Sequence, residues 1–472
     1  MRMTFVLSTI AVVIVVAFAA MAGSSPEKPR IEYEPTWESL DQHATPEWLM
    51  DAKLGLFVYG PSPTKAEWAK HIELHGKKPN VVGHISSEYP DWEEAQAWDR
   101  LTLDPNAITQ LAIDAGARYL VITHGSFLIL RPSKFTDVED SAFMTIGPKN
   151  RDWHGDVAKT VRSRGLRFGL YTNLINPKDH PQWIDIIKEA IDRYQPATLW
   201  FDGDKMKDTA DNMRTKELLA YYYNNSAQQN EVAAEDAMGI YKRTTWGKRL
   251  EHGDWYRKET GGHPPADDIS DGYYVRYEEV SRHDGRSPTG QSGGVVNNYV
   301  EWLCHTASHN GNLELTIWMN PLQMDHQRRI LRQVGMWLEV NGEAIYDTRP
   351  WYNGRPQAKT TDGTDVRFTV KNDALYAILF DWPRSQPVKI SYEQHISHIA
   401  RFTLSNLRLQ KDSTVTLLGR QGELSWEQTE EGVTVVLSTM ETPTRWHHHC
   451  GAEVPCDHAF SFKIMPMPTW VE

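Results

Sequence analysis

Helix-like and strand-like segments alternate between residues 104 and 203. The three helical segments, each with the apolar run that follows it, are 104–116 with 118–123, 152–165 with 167–171, and 181–195 with 197–202. The third helix shows apolar residues at helical spacing: Trp183, Ile184, Ile187, Ala190, Ile191 and Tyr194. Strands joined through helices form a parallel sheet. Three such units within a region of about 320 residues predict an α/β fold of the (β/α)8 type, a TIM-like barrel.

The flanking segments complete this prediction only in part. An apolar run at 54–60 predicts a strand, and a strand at 310–317 is predicted between helices at 295–307 and 325–340. By contrast, residues 207–235 are polar and are predicted to be helical. Residues 244–256 have no regular period and are predicted to form an irregular loop.

The pattern changes near Trp351, where polar and apolar residues begin to alternate in short runs. The clearest runs are 366–370, 375–380, 413–418 and 434–437. Turn-forming residues separate them, which is typical of an antiparallel β-sandwich, here of about 120 residues. We therefore predict a signal peptide at 1–22, a (β/α) barrel domain at 23–350 and a C-terminal β-sandwich domain at 351–472.

The N-terminus has the pattern of a secretory signal. One arginine precedes an apolar run over residues 5–22, which ends in Ala20, Met21 and Ala22 before a polar, proline-containing segment. Small residues at this point favour cleavage after Ala22, so a secreted or periplasmic protein is expected. The run is almost long enough to span a bilayer, and an uncleaved membrane anchor stays open as an alternative.

Composition narrows the classes of partner. The net charge is −12, from 50 Lys plus Arg against 62 Asp plus Glu, and no basic run occurs, which excludes a nucleic-acid partner. The 18 Trp, 19 Tyr and 13 Phe favour a carbohydrate-active protein, although large β-rich proteins also bury many aromatic residues. Cys450 and Cys456 are close enough to form a disulfide, which would leave Cys304 as a buried thiol. The run His447-His448-His449-Cys450 fits no zinc spacing. An oligomer is possible.

One acidic residue stands where barrel chemistry is expected. Asp202 follows a buried strand in the run 199–203, Leu-Trp-Phe-Asp-Gly, and the carboxyl ends of barrel strands carry catalytic side chains. It could also simply open a turn, since Asp-Gly is an ordinary turn pair. Glycoside hydrolysis needs two carboxyl groups, one ionised and one protonated. Candidates for the second are Glu251, Asp254, Glu259, Glu278 and Glu279.

These residues carry a family resemblance that runs from about residue 35 to the C-terminus. The chain resembles the α-L-fucosidases of glycoside hydrolase family 29. The matching segments are 35–40 (Pro-Thr-Trp-Glu-Ser-Leu), 51–57 (Asp-Ala-Lys-Leu-Gly-Leu-Phe), 115–119, 151–152, 165–171, 199–203, 310–313 (Asn-Gly-Asn-Leu) and 337–346. The resemblance implies a (β/α) barrel with a C-terminal β-sandwich, and an exo-acting hydrolase that releases fucose from fucosylated oligosaccharides or polysaccharides.

The resemblance also implies a retaining mechanism through a covalent glycosyl-enzyme. The aspartate of the Trp-Phe-Asp-Gly motif, here Asp202, is then the nucleophile. The acid/base lies downstream of it in a variable stretch, where Glu278 in Tyr277-Glu278 fits best and Glu259 is the alternative. No metal or organic cofactor is expected, and no stable membrane partner unless the signal stays uncleaved.

The polar residues that would hold the sugar depart from the family pattern. Tyr59-Gly60-Pro61 stands where His-Trp-Gly is usual, and Thr123-His124-Gly125-Ser126-Phe127 stands where His-His-Asp-Gly-Phe is usual. The residues expected to bind substrate are Tyr59, His124, Tyr171 and Trp200, although Trp200 could equally be core packing. Lost hydrogen-bond partners alter discrimination. A sulfated or branched sugar, a hydrolase for a related sugar such as galactose, or a non-catalytic carbohydrate-binding protein on a degenerate barrel therefore stay open.

Overall fold

The computed structural model describes most of the chain. The described residues are 30–59, 104–124, 152–174, 178, 181, 183–203, 209–236, 252–259, 273–281, 295–318, 321–383, 385–389, 396–437 and 455–471. The chain divides into the units Met1–Glu32 and Tyr33–Glu472, and only residues 30–32 of the first are described. Every described helix and strand lies in the second unit.

The N-terminal part of this unit is a parallel β/α structure. Its helices are α1 (Trp37–Leu40), α2 (Glu47–Ala52), α3 (Pro105–Asp114), α4 (Trp153–Ser163), α5 (Trp183–Tyr194), α6 (Ala210–Met213), α7 (Thr215–Asn225), α8 (Val296–Ser308) and α9 (Pro321–Asn341). Its strands are β1 (Leu54–Tyr59), β2 (Tyr119–His124), β3 (Arg167–Leu174), β4 (Thr198–Gly203), β5 (Ala233–Ala234), β6 (Tyr256–Glu259), β7 (Tyr274–Glu279) and β8 (Gly311–Trp318). Short 3₁₀ helices cover Gln229–Glu231 and Gly342–Ala344.

These eight strands form one sheet in the order β5-β4-β3-β2-β1-β8-β7-β6, with every pair parallel. The two edge strands are joined by a parallel bridge between Glu235, just after β5, and Trp255, just before β6. Backbone hydrogen bonds from Asp236 N–H to the Trp255 carbonyl (2.7 Å) and from Asp254 N–H to the Ala234 carbonyl (2.9 Å) support this bridge. The sheet therefore closes on itself as a TIM-like barrel, and we call the β5–β6 junction the closing seam.

Successive residues of each strand face opposite sides of the barrel wall. In β4, Leu199 and Phe201 pack in the large apolar core that the strands share with the helices. The intervening Trp200 packs in a second, largely aromatic cluster that fills the barrel interior with Phe57 and Tyr171. This alternation decides which side chains near the strand ends reach the interior.

Capping side chains start helices α3 and α4, and a glycine ends the segment of α3. Asp104 precedes α3 and its side chain accepts the Asn106 N–H at 2.9 Å, while Pro105 occupies the first turn, where its missing N–H is not needed. The segment stops at Gly116, whose φ of +78° suits glycine, and β2 then starts. Asp152 caps α4 in the same way, through the Gly155 N–H at 3.0 Å.

Three barrel strands differ from the sequence expectation. The pattern predicts helix up to residue 235, whereas the structure has α6 and α7 followed by β5. The stretch predicted as irregular runs directly into β6, and β7 follows it. The physical reason is that β5 is only two residues long, and that β6 and β7 carry charged side chains on a sheet whose faces are both covered.

The C-terminal part consists of antiparallel sheets. Its strands are β9 (Arg349–Pro350), β10 (Gln357–Lys359), β11 (Asp365–Lys371), β12 (Ala374–Leu379), β13 (Ser385–Lys389), β14 (Ile396–Ser405), β15 (Leu407–Arg408), β16 (Thr414–Leu417), β17 (Ser425–Gln428), β18 (Gly432–Leu437), β19 (Phe460–Met465) and β20 (Thr469–Trp470). One sheet has the order β10-β11-β12-β19-β16 with β9 beside β11, a second has the order β13-β14-β18-β17, and β15 pairs with β20. The two larger sheets share one apolar core.

The cysteines that the structure describes are free thiols. Cys304 is buried in α8, as the sequence predicts, and burial raises the pKa of its thiol. Cys456 is also a free thiol, and Cys450, its predicted disulfide partner, lies outside the described residues. Within the described ranges, no helix is long and apolar enough to cross a membrane.

Candidate active site

Asp202 lies at the carboxyl end of β4, opposite Asn173 of β3 in the backbone pairing. Its side chain is 24% exposed, which is enough for contact with a ligand while part of the carboxylate stays shielded. It is two residues beyond Trp200 and shares that residue's face of the strand. The structure thus places Asp202 at the edge of the barrel where strand-end chemistry occurs.

Side chains from β3 and from β6, across the closing seam, contact this carboxylate. The Tyr171 hydroxyl, from β3, donates to Asp202 Oδ2 at 2.6 Å. Arg257 of β6 forms an ion pair in which Nη2 lies 3.5 Å from Asp202 Oδ1. The sequence expectation placed Tyr171 at the site as a sugar contact, and the structure brings it to the carboxylate itself.

Glu235 lies behind Arg257. Its Oε1 is 3.2 Å from Arg257 Nε, and its Oε2 accepts the Phe201 N–H at 2.7 Å. The sequence predictions include neither Glu235 nor Arg257. The available signal was the sequence Trp255, Arg257, Glu259 at alternate positions, a strand pattern with charges on one face.

Aromatic rings form the floor beneath the carboxylate. Trp200 is 1% exposed, and its ring lies 5.5 Å from Phe57, 4.8 Å from Trp255 and 6.1 Å from Tyr277, measured between centroids. The Arg257 guanidinium lies 5.4 Å from the Trp200 ring centroid. Trp200 is therefore core packing that supports the site, and its burial leaves no face for a sugar.

A second carboxyl group is buried deeper in the interior. Glu314 of β8 is fully buried, and neither of its oxygens has a hydrogen bond of ordinary geometry within the described residues. Burial raises the pKa of Glu314 well above its usual value, and the nearby Tyr119 hydroxyl and Trp200 indole offset only part of this effect. Burial therefore favours the protonated form of Glu314, which does not suit a nucleophile.

Glu278 does not lie beside Asp202, contrary to the sequence expectation. In β7, Val275 belongs to the interior cluster, whereas Arg276 lies over Trp302 of α8 on the outer face. Glu278 lies two residues beyond Arg276, on the same face of β7. Its Oε1 forms an ion pair with Arg276 Nη2 at 2.6 Å. Burial raises the pKa of Glu278, and Arg276 opposes this rise. A raised pKa suits an acid/base, but the group faces the helices and not the site.

The remaining predicted residues lie at strand ends or outside the described residues. Glu259 ends β6, with its backbone paired to Tyr277, and its side chain is not described. Tyr59 ends β1 and His124 ends β2, also without described side chains. Glu251 is not among the described residues. Glu279 ends β7.

Asp254 belongs to the outer face of the closing seam. It accepts the Ala234 N–H at 2.7 Å and the Tyr223 hydroxyl at 3.0 Å, and its Oδ1 is 2.7 Å from His43 Nδ1. Burial alone lowers the pKa of His43, but Asp254 and the Gln229 carbonyl outweigh it and raise the pKa. This buried network is structural.

A partly exposed carboxylate, held by a phenol and a guanidinium at the carboxyl end of a parallel barrel, can attack an electrophilic carbon. With the aromatic interior and the C-terminal antiparallel sheets, this arrangement defines a barrel-type glycoside hydrolase. The profile of the alpha-L-fucosidase family matches residues 20–343, and that of the alpha-L-fucosidase C-terminal domain matches residues 357–464. The chain belongs to the α-L-fucosidase family, and as a member it is a glycosidase that releases fucose.

Relatives match over nearly their whole length. A tissue alpha-L-fucosidase of Rattus norvegicus is 27% identical over 473 residues, covering 92% of this chain and 92% of that protein. An alpha-L-fucosidase of Branchiostoma floridae is 27% identical over 460 residues, covering 88% of this chain and 94% of that protein. The likeness therefore includes both the barrel and the C-terminal sheets.

Solved structures show the same architecture. The Thermotoga maritima alpha-fucosidase in complex with fucose has a TM-score of 0.59 and 25% identity, covering 86% of this chain and 96% of that one. The same enzyme in complex with a mechanism-based inhibitor has a TM-score of 0.62 and 23% identity, covering 92% and 99%. At 23% identity, the similarity to the inhibitor complex concerns the fold alone.

Proposed function

We propose that the protein is a retaining exo-α-L-fucosidase in which Asp202 is the nucleophile. The observation that carries this proposal is the Asp202 carboxylate at the end of β4, fixed by the Tyr171 hydroxyl at 2.6 Å and by Arg257 at 3.5 Å. Asp202 attacks the anomeric carbon and the bond to the leaving oxygen breaks, which gives a glycosyl ester. Water then attacks the same anomeric carbon and displaces the Asp202 carboxylate. Fucose is released with its configuration retained.

We propose Glu259, and not Glu278, as the acid/base. Glu259 is two positions beyond Arg257 in β6, and residues two apart in a strand share a face. Glu278 is engaged by Arg276 on the outer face of β7. In the first step Glu259 gives its proton to the leaving oxygen, and in the second it takes a proton from the attacking water.

The nucleophile is tested by Asp202→Gly with an aryl α-L-fucoside. Hydrolysis should fall on the order of 10⁴-fold or more, because no ester can form. Added azide should restore some release of the phenol and yield β-L-fucosyl azide, with inverted configuration, since azide replaces the missing carboxylate. Asp202→Asn is the matched variant that keeps the side-chain size and should be equally slow. Full activity in Asp202→Gly would end the assignment.

The acid/base is tested by Glu259→Ala with two leaving groups. Hydrolysis of a fucoside with a poor leaving group should fall about 10²–10⁴-fold, whereas a dinitrophenyl fucoside should be affected far less. Azide should now yield α-L-fucosyl azide, because it attacks the ester and not the substrate. Glu278→Gln is the matched control and should give no azide product. Azide product from the Glu278 variant alone would return the role to Glu278.

We also propose that the natural substrate is a fucosylated oligosaccharide or polysaccharide outside the cytoplasm. The apolar run at 5–22 with Ala20 and Ala22 at its end supports export and cleavage after Ala22. Sequencing the N-terminus of the protein from its native source should give Gly23. A screen over aryl fucosides and galactosides should show the highest kcat/KM on the fucoside, and a preference for the galactoside would redefine the sugar.

A further inference from the structure

The closing seam carries a chain of three charged side chains that ends at the nucleophile. Glu235 follows β5 on one side of the seam, and Arg257 lies in β6 on the other. The two ion pairs, Glu235 with Arg257 at 3.2 Å and Arg257 with Asp202 at 3.5 Å, run from the interior to the strand ends. The side chains of Glu235 and Arg257 are only 3% and 5% exposed. A guanidinium as buried as that of Arg257 is stable only when it is paired with opposite charges.

Glu235 also fixes the backbone next to the nucleophile. Its second oxygen accepts the Phe201 N–H at 2.7 Å, and Phe201 immediately precedes Asp202. A single carboxylate therefore sets the position of the guanidinium and of the strand that bears Asp202. The Trp200 ring lies beneath the guanidinium at 5.4 Å and prevents it from sinking into the interior.

We propose that Arg257, anchored by Glu235, is a positioning residue that orients the Asp202 carboxylate for attack. Arg257 fixes Oδ1 while Tyr171 fixes Oδ2, so the plane of the carboxylate is set from two strands. This inference rests on the proposed role of Asp202 as nucleophile. The charges also remain balanced during the reaction: when Asp202 becomes a neutral ester, Glu235 still neutralises the buried guanidinium.

The first test measures formation of the glycosyl-enzyme with 2-deoxy-2-fluoro-α-L-fucosyl fluoride. This donor carries a leaving group that needs no acid, so the labelling rate reports on the nucleophile alone. Arg257→Met should be labelled at least tenfold more slowly than the wild-type protein. Arg276→Met is the matched control, because Arg276 is a buried arginine on the outer face of β7, and it should be labelled at the wild-type rate.

Two further readouts separate positioning from a general loss of structure. In Arg257→Met the acid limb of the kcat/KM profile should move up by about one pH unit, because a cation that favours the ionised carboxylate is gone. Other titratable groups that interact with this pair are Tyr171 of β3, Glu235 just after β5 and Glu314 of β8, and none of them is substituted. Arg257→Lys keeps the positive charge but loses the planar guanidinium with its several N–H donors. Labelling should therefore slow, while the acid limb of the kcat/KM profile stays in place. Added guanidinium should accelerate Arg257→Met.

The outcomes are distinct. A folded Arg257→Met that is labelled at the wild-type rate overturns the positioning role, as does slow labelling with an unmoved acid limb and no rescue. If Arg257→Met does not fold, Arg257→Lys decides, and wild-type labelling of that variant rejects the proposal. Failure of the wild-type protein to be labelled on Asp202 would instead reject the nucleophile, and with it the proposed mechanism.

Discussion

At the scale of single residues, Glu314 shows how differently the barrel treats its carboxyl groups. Asp202 is partly exposed and is contacted by Tyr171 and Arg257, whereas Glu314 is fully buried with a raised pKa. The folded state therefore keeps the Glu314 proton at a pH where the unfolded chain has lost it. Between the unfolded pKa of about 4.3 and the folded value, the folded protein binds more protons, so stability falls as the pH rises.

Glu314→Gln should remove this dependence. Urea unfolding at pH 5, 6, 7 and 8 should show the wild-type free energy of unfolding falling by up to about 1.4 kcal/mol per pH unit more steeply than that of Glu314→Gln. Glu343→Gln is a control of opposite sign: a hydrogen bond from Lys463 lowers the pKa of Glu343, so its contribution is present at neutral pH and is lost on acidification. Parallel slopes for the wild-type protein and Glu314→Gln would contradict the prediction.

The sequence predicts Asp202 as the nucleophile because a motif and a strand end coincide there. It could not tell which of the adjacent Glu278 and Glu279 faces the interior, because neighbouring residues of a strand point to opposite faces. The faces of β7 are defined by Val275, which packs in the interior cluster, and by Arg276, which packs against α8. Arg257 and Glu235 were missed for a related reason: their role depends on pairing across the closing seam.

At the scale of elements, long and strongly periodic segments were predictable and short ones were not. Helix α5 and strands β2 and β4 lie within one or two residues of their predicted bounds, and β3 starts where predicted but runs three residues further. In these segments apolar periodicity alone determines the structure. Strand β6, Tyr-Arg-Lys-Glu, has no apolar run, because its interior face carries the site and its outer face carries Lys258. The charged residues of the candidate site therefore replace the apolar alternation that would have predicted this strand.

The packing of α9 on α3 depends on one glycine. A Cβ at Gly335 would lie 1.9 Å from the Asp114 carbonyl oxygen, which is backbone and cannot move aside. In an exposed helix, glycine to alanine would stabilise by about 1 kcal/mol. Here we expect Gly335→Ala to destabilise by about 1–3 kcal/mol, since the two helices must separate. Thermal unfolding measures this, with exposed Gln333→Ala on the same helix as the control. A stabilised Gly335→Ala would show that α9 does not pack this closely.

At the scale of the whole molecule, the barrel and the C-terminal sheets share apolar core. Ile378 of β12 belongs to the barrel's core cluster, while the adjacent Leu379 belongs to the core between the C-terminal sheets. The Trp337 indole N–H of α9 also donates to the Ala459 carbonyl at 2.8 Å. The sandwich is therefore part of the barrel's support.

This sharing predicts one cooperative unfolding transition. Ile378→Ala and Leu379→Ala should each destabilise by about 2–5 kcal/mol, because both residues are fully buried. Although they face different cores, both substitutions should shift the same transition, seen together by circular dichroism, tryptophan fluorescence and loss of activity. Two separate transitions, with only the first moved by Leu379→Ala, would mean that the sheets unfold independently of the barrel.

The closing seam has one more consequence, for how the enzyme matures. A slip of β6 by one residue would turn Tyr256 or Lys258 towards Asp202 and leave Glu235 buried without its cation. Breaking a buried ion pair costs about 3–5 kcal/mol, which is enough to disfavour every misaligned closure. We therefore expect the Glu235–Arg257 pair to disfavour closure of the barrel in a wrong register. A chain that closes its barrel correctly completes its active site in the same event, so the amount of folded protein and the number of competent sites rise together.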